Sequence, residues 1–198
     1  MTQIILHRIN TINQLKTTPK KFGVEVDVRS DNGFLILHHE PFKKGPDFSK
    51  WLKYYSHAYL IINIKEEGLE IPILKLLQKF KVKKFFFLDQ SFPFLLKFSK
   101  KLLMNVAARF SELESIETVI NIKSKIKWVW VDCFTKLPIT KNNFTALKKV
   151  NLKICYVSPE LQGEKNTKKI KDFVADIKDK KLIPDAVCTK FPDFWNSL

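Results

Sequence analysis

Two histidines and a pair of acids near the N-terminus are of the kinds that move protons and hold charge. His7 follows the apolar run Gln3-Ile4-Ile5-Leu6, and His39 ends the run Phe34-Leu35-Ile36-Leu37-His38-His39. Between them lies Val24-Glu25-Val26-Asp27-Val28. In extended backbone the period of two sends both carboxylates to one face and the valines to the other. Asn63 and Lys65 repeat that spacing in the next apolar run, and Asp89, Arg109 and Asp132 end later ones. Burying acids and a lysine among so many branched side chains is costly unless they pair or bind an ion.

Taken singly, each of these residues has an ordinary structural explanation. A lone histidine such as His7 more often satisfies a local hydrogen bond than performs chemistry. His38 and His39 are adjacent, so alternation lets only one face a site. Glu25 and Asp27 could form an edge pair or bridge to Arg29 or Lys65, and Asp132 could cap a following helix or turn. Packing does not explain why all of them collect at strand ends.

Eight β-rich apolar runs recur along the chain: Gln3–His7, Phe22–Arg29, Tyr59–Lys65, Phe85–Asp89, Asn105–Arg109, Trp128–Asp132, Lys153–Val157 and Ala186–Thr189. Most are continuously apolar, as in parallel strands buried on both faces. Stretches with helical apolar stripes lie between them: Ser49–Ser56, Ile71–Phe80, Phe92–Lys100, Leu113–Ile122, Asn142–Lys149 and Asn166–Asp179. Strands alternating with helices predict an α/β protein, and eight of them predict a compact (β/α)8 TIM barrel, lean beside the usual size of about 250 residues. Asp31-Asn32-Gly33 is a hairpin turn signal, so the second strand is expected to double back before the first long crossover. In such a barrel the strand C-termini form the catalytic face. No linker interrupts residues 1–198, which read as one domain.

Composition narrows the classes. Lys and Arg number 35 against 20 Asp and Glu, a net charge of +15. Most of the basic residues are lysines spread over helix faces and turns, with no aromatic–basic motif of the RNA-binding kind, so no specific nucleic-acid partner is expected. Attraction of a phosphate-bearing substrate uses the charge more economically. The apolar runs are too short to cross a bilayer, and no signal peptide precedes them. The three cysteines, Cys133, Cys155 and Cys188, lack metal-type spacing and read as buried thiols of a reducing compartment. A cytoplasmic protein is expected. Oligomeric state is not encoded in any readable feature.

The motifs at these residues resemble the glycerophosphodiester phosphodiesterase family, within the phosphatidylinositol-phospholipase-C-like barrels. Its opening His-Arg-Gly and Asn-Thr correspond to His7-Arg8-Ile9-Asn10-Thr11. Its Glu-x-Asp-Val strand, Asp-Gly turn and His-Asp-Pro correspond to Glu25-Val26-Asp27-Val28, Asp31-Asn32-Gly33 and His39-Glu40-Pro41. Its Glu-x-Lys matches Asn63-Ile64-Lys65, and its terminal Thr-Asp-x-Pro matches Thr189-Lys190-Phe191-Pro192. The specific part covers residues 3–65.

The resemblance implies a phosphodiester hydrolase of lipid metabolism acting on a small diester. His7 and His39 would be the catalytic acid and base. Arg8 and Lys65 would bind phosphate, and Glu25, Asp27 and Asn63 would hold a divalent cation, Mg2+ or Ca2+. Arg109 joins the phosphate-binding set, and Asp89 and Asp132 the site, on their strand-end placement alone. Three departures stand out. Ile9 replaces glycine, Lys190 replaces an acid, and the neutral Asn63 replaces the third carboxylate, so Asp89, Glu112 or Asp132 would have to complete a full acidic shell. A catalytically weak barrel that binds phosphate or lipid headgroups is the alternative, favoured by Asn63 and Lys190. A nucleic-acid-binding protein is a third class, motivated by charge alone.

Overall fold

The computed structural model describes residues 1–102 and 104–198, and these form two compact units, His7–Val106 and Met1–Leu6 with Ala107–Leu198.

In the unit His7–Val106, β2 (Gly23–Asp31), β4 (Leu60–Ile64) and β5 (Phe85–Leu88) are parallel, in the order β5-β4-β2. Asp27 lies opposite Asn63, and Asn63 opposite Leu88. Every residue of β4 and β5 is buried, as expected of strands covered on both faces. β3 (Phe34–Leu37) runs back antiparallel on the end of β2, with Asp31 opposite Phe34. That leaves a two-residue turn, Asn32-Gly33, with both φ angles positive. This is the conformation for which Asn-Gly is favoured, because it matches the twist of the strands.

Helices α1 (Ile12–Thr17), α2 (Phe48–Leu52), α3 (Glu70–Lys79) and α4 (Phe92–Phe98) belong to this unit. α1 is absent from the sequence-based expectations. It is six residues long and starts with a reciprocal cap, in which Thr11 Oγ1 accepts from the Gln14 N–H and Gln14 Oε1 accepts from the Thr11 N–H. α2 is shorter than the expected Ser49–Ser56, because Tyr54 and Tyr55 turn to i−3 carbonyls and end it.

β3 stops at Leu37 rather than reaching His39. Beyond it the chain makes a loop that returns at once, the Leu37 N–H donating to the Pro46 carbonyl. Gly45 permits that return, since a Cβ there would lie 2.2 Å from the Leu37 carbonyl oxygen. The loop carrying His38 and His39 is thus closed at its base.

In the other unit β1 (Gln3–Leu6), β9 (Ala186–Thr189), β8 (Lys153–Val157), β7 (Trp128–Val131) and β6 (Ala107–Phe110) are parallel in that order. α5 (Ile116–Asn121), α6 (Lys141–Lys149) and α7 (Thr167–Asp179) connect them. β6 begins two residues later than the expected Asn105, because Met104 takes a left-handed turn just before it. α5 starts at Ile116 instead of Leu113, where Ser115 Oγ caps the Glu117 N–H. α7 buries Ile170, Val174 and Ile177, the stripe that the 3.6-residue period anticipates. Among the described residues, eight strands are parallel, β3 is the antiparallel addition, and no helix is long and apolar enough to cross a membrane. All three cysteines are buried and unbridged.

Candidate active site

Glu25, Asp27 and Arg29 alternate along β2 with the buried valines 24, 26 and 28. Glu25 and Asp27 have no solvent exposure. Glu25 Oε2 accepts the Arg8 backbone N–H at 2.7 Å and lies 3.9 Å from His7 Nε2. Arg8 has a left-handed φ of 56°, the conformation in which its amide points at Glu25. Asp27 is held by Asn10, whose Nδ2 donates to Asp27 Oδ2 at 2.8 Å while its Oδ1 accepts the Asp27 N–H at 2.9 Å. Arg8 Nε lies 3.8 Å from Asp27 Oδ2, and Lys65 Nζ lies 3.3 Å from Asp27 Oδ1 and 3.6 Å from Asp89 Oδ2. Lys65 therefore bridges two acids as well as facing the centre.

The two adjacent histidines divide their roles. His38 Nδ1 accepts the Glu40 N–H at 2.9 Å and so builds the turn. His39 Nδ1 donates to Glu40 Oε1 at 2.5 Å, because an ionised carboxylate can only accept. That leaves His39 Nε2 as the unprotonated nitrogen of the neutral ring. His39 holds the Glu40 carboxyl below the usual carboxylate range, and the Arg8 charge acts in the same direction. The remaining histidine, His57, is buried against the Thr18 carbonyl and takes no part.

Burial pushes the Glu25 carboxyl up to about 8, and the Asp27 charge pushes the same way. The Arg8 N–H, the Asn63 amide and the Lys65 charge oppose the rise without cancelling it. Glu25 Oε1, Asp27 Oδ1 and Asn63 Oδ1 are buried oxygens that accept no hydrogen bond from the described residues. Glu25 Oε1 and Asn63 Oδ1 are open, Asp27 Oδ1 is ion-paired with Lys65 at 3.3 Å, and such a set of hard oxygens beside a carboxyl that resists ionisation is what a cation would relieve. Their charge is lower than a three-acid set, and no group of three His, Cys, Asp or Glu able to hold a metal occurs among the described residues.

Arg109 and Asp132 belong to the other unit, where they meet each other. Arg109 Nη1 donates to Asp132 Oδ2, and Trp130 Nε1 and Gln162 Nε2 donate to Oδ1 at 3.2 and 2.7 Å. Asp132 is thus a buried anchor for Arg109 rather than a helix cap. Glu112 staples a loop by accepting the N–H groups of Phe134, Thr135 and Lys136. Burial raises its carboxyl, but those N–H groups outweigh it and hold it at about 2. The buried Glu160, just after β8, accepts the Thr189 hydroxyl at 2.5 Å and the Lys190 N–H at 2.8 Å. Sequence reading missed Asn10, Arg29 and Glu40 as site-builders, although Asn10 and Glu40 lie inside the motifs set out above.

The fold is shared with solved barrels of several activities, with tryptophan synthase chains at TM-scores of 0.57 to 0.61 and glycerophosphodiester phosphodiesterases at 0.68 to 0.74. A protein provisionally described as a glycerophosphodiester phosphodiesterase from Galdieria sulphuraria superposes with a TM-score of 0.74 at 14% identity, over 100% of this chain and 97% of that one. The glycerophosphodiester phosphodiesterase of Agrobacterium tumefaciens gives 0.72 at 14% identity, over 100% and 98%. A glycerophosphoryl diester phosphodiesterase of Parabacteroides distasonis gives 0.68 at 12%, over 100% and 87%. No protein-family model matches the sequence, and no curated protein is detectably similar to it. The fold is the expected (β/α)8 barrel with its added hairpin, and at these identities the likeness is one of fold.

Proposed function

We propose that this chain is a phosphodiester hydrolase of the glycerophosphodiester phosphodiesterase type, acting as a single domain on a small phosphodiester. The observation that carries this reading is the buried Glu25–Asp27 pair, with His7 3.9 Å from Glu25, Lys65 3.3 Å from Asp27 and Glu25 Oε1 accepting no hydrogen bond. The fold shared with such enzymes supports it.

Glu25, Asp27 and Asn63 would hold a divalent cation, Mg2+ or Ca2+. When bound, it would neutralise charge on the phosphoryl oxygens. His39 Nε2 is suited to accept a proton, with Glu40 stabilising the imidazolium that results. His7, beside Glu25, is the partner that returns a proton to the leaving alcohol. Arg8, whose side chain is 42% exposed, is free to turn from Asp27 towards phosphate. Lys65 adds positive charge from below, and Asp89 fixes it through the contact with Nζ. The buried thiols fit a cytoplasmic setting, and turnover of lipid-derived diesters is the corresponding role.

A second reading, a barrel that binds phosphate or headgroups without turning them over, is favoured by Asn63. The discriminating experiment is hydrolysis of glycerophosphoethanolamine and bis(p-nitrophenyl) phosphate in Mg2+, Ca2+ or EDTA. Cleavage that disappears in EDTA is expected. Cation binding seen by calorimetry without cleavage of either diester would establish the second reading instead. Restoring the acid with Asn63→Asp should tighten Mg2+ binding by about tenfold or more, since affinity at such sites follows ligand charge. An unchanged dissociation constant would exclude residue 63 from the cation shell.

A further inference from the structure

Arg29 is the third inward member of the β2 stripe, and its side chain is only 14% exposed. It stands at a fork. Up to Val28, β2 is laddered to β4; from Val28 onward it is laddered to β3. The last bonds before the fork are the His38 N–H to the Asp27 carbonyl and the Lys65 N–H to the Val28 carbonyl. Asp27 and Val28 are adjacent, so these two carbonyls leave opposite edges of β2, and donors that tie the His39 and Lys65 segments together must reach to both sides of the strand.

The Arg29 guanidinium supplies those donors. Nε and Nη2 both donate to the His39 carbonyl, at 3.1 and 3.0 Å, and Nη1 donates to the Lys65 carbonyl at 3.4 Å. Nη1 also lies 3.5 Å from Glu66 Oε1, which balances its charge. Glu66 is fixed in turn, its Oε2 accepting the Ser30 N–H at 3.0 Å and the Ser30 hydroxyl at 2.5 Å. Three donors in one rigid plane reach two carbonyls in the segments that follow two separate strands. A lysine ammonium is a point charge and could serve one of them, but not both in this geometry.

We infer that Arg29 is a positioning residue that locks the backbone of His39 to that of Lys65, so that base and phosphate-binding cation keep a fixed spacing. This rests on the phosphodiesterase reading for its functional meaning, though the clamp is a property of the fold. A displacement of about 1 Å in a reacting group can cost 10²-fold in rate.

The test compares Arg29→Lys, Arg29→Met and wild type. With bis(p-nitrophenyl) phosphate, Arg29→Met should lose about 100-fold in kcat with little change in KM. Arg29→Lys should recover the melting temperature but not the rate. The His39 imidazole signals, read by long-range 1H–15N NMR, should broaden or split in both variants while those of His57 stay put. Equal kcat in all three proteins, or a loss that tracks melting temperature alone, would overturn the proposal. If the wild type cleaves no diester, the phosphodiesterase reading fails by itself. The clamp is then decided by the NMR, where unchanged His39 signals in Arg29→Met would refute it.

Discussion

His39→Ala is expected to lower kcat for glycerophosphodiester cleavage by about 10³-fold, and His7→Ala by a similar factor, within the range that positioned acids and bases contribute. Neither ring belongs to the hydrophobic core, the His39 and His7 side chains being 33% and 13% exposed. The melting temperature of each variant should therefore stay within a few degrees of wild type. KM should change little, because phosphate contact is assigned to Arg8 and Lys65 and not to the histidines. His38→Ala is the informative comparison. Its ring accepts the Glu40 amide, so removing it loosens the turn that presents His39 and should cost far less than removing His39 itself. Steady-state kinetics on the three variants, with melting curves beside them, make the check. A His39→Ala protein within tenfold of wild type, or His38→Ala more damaged than His39→Ala, would end the assignment.

How much of this was readable from the residues depended on whether local chemistry or long-range geometry decides. β2 was legible because acids and valines alternate, and the hairpin because Asn32-Gly33 has one favoured use between extended runs. The grouping of His7, Glu25, Asp27, Asn63 and Lys65 followed from those strands. Alternation could not choose between His38 and His39, and the motif resemblance alone named His39. Alternation stops at Leu37, and the loop beyond is shaped by the close approach of Gly45 to the Leu37 carbonyl. Of the two salt-bridge partners weighed for the acids, Arg29 and Lys65, it is Lys65 that meets Asp27, with Arg8 beside it, and Arg29 turns to backbone carbonyls. Only the fork between β3 and β4 makes that necessary, and a fork is a property of pairing rather than of composition. The substitution of Lys190 for an acid looked like a loss. The Lys190 backbone N–H meets an acid all the same, Glu160, about 30 positions away in the chain, where no local pattern announces it. α1 could have been found, since Thr11-x-x-Gln14 is a capping box, but its single buried residue, Leu15, gives no stripe.

Glu25→Gln should make the metal-free protein more stable at alkaline pH while removing its cation-dependent activity. The Glu25 carboxyl titrates near 4.5 when exposed and near 8 in the fold, raised first by burial and then by Asp27. A raised carboxyl means that between these values the folded chain keeps a proton that the unfolded chain has released. Stability from this source is complete below pH 4.5 and declines as pH climbs towards 8, by about 1.4 kcal/mol per pH unit at most. Glutamine mimics the protonated acid. Its amide oxygen can still accept the Arg8 N–H, and it carries no charge for Asp27 to repel. In EDTA at pH 8.5 the variant should therefore melt roughly 5–10 °C above wild type, given a few degrees per kcal/mol for a chain of this size. At pH 5 the two should nearly coincide. Adding Mg2+ at pH 8.5 should raise the wild-type melting temperature, because an ion that binds only the folded chain stabilises it. The same addition should leave Glu25→Gln almost unmoved. Using the difference between the proteins removes the contribution of every other titrating group. If wild type and variant melt together at both pH values, Glu25 is ionised in the apo fold without penalty. If both respond equally to Mg2+, the ion is held somewhere other than at this carboxylate.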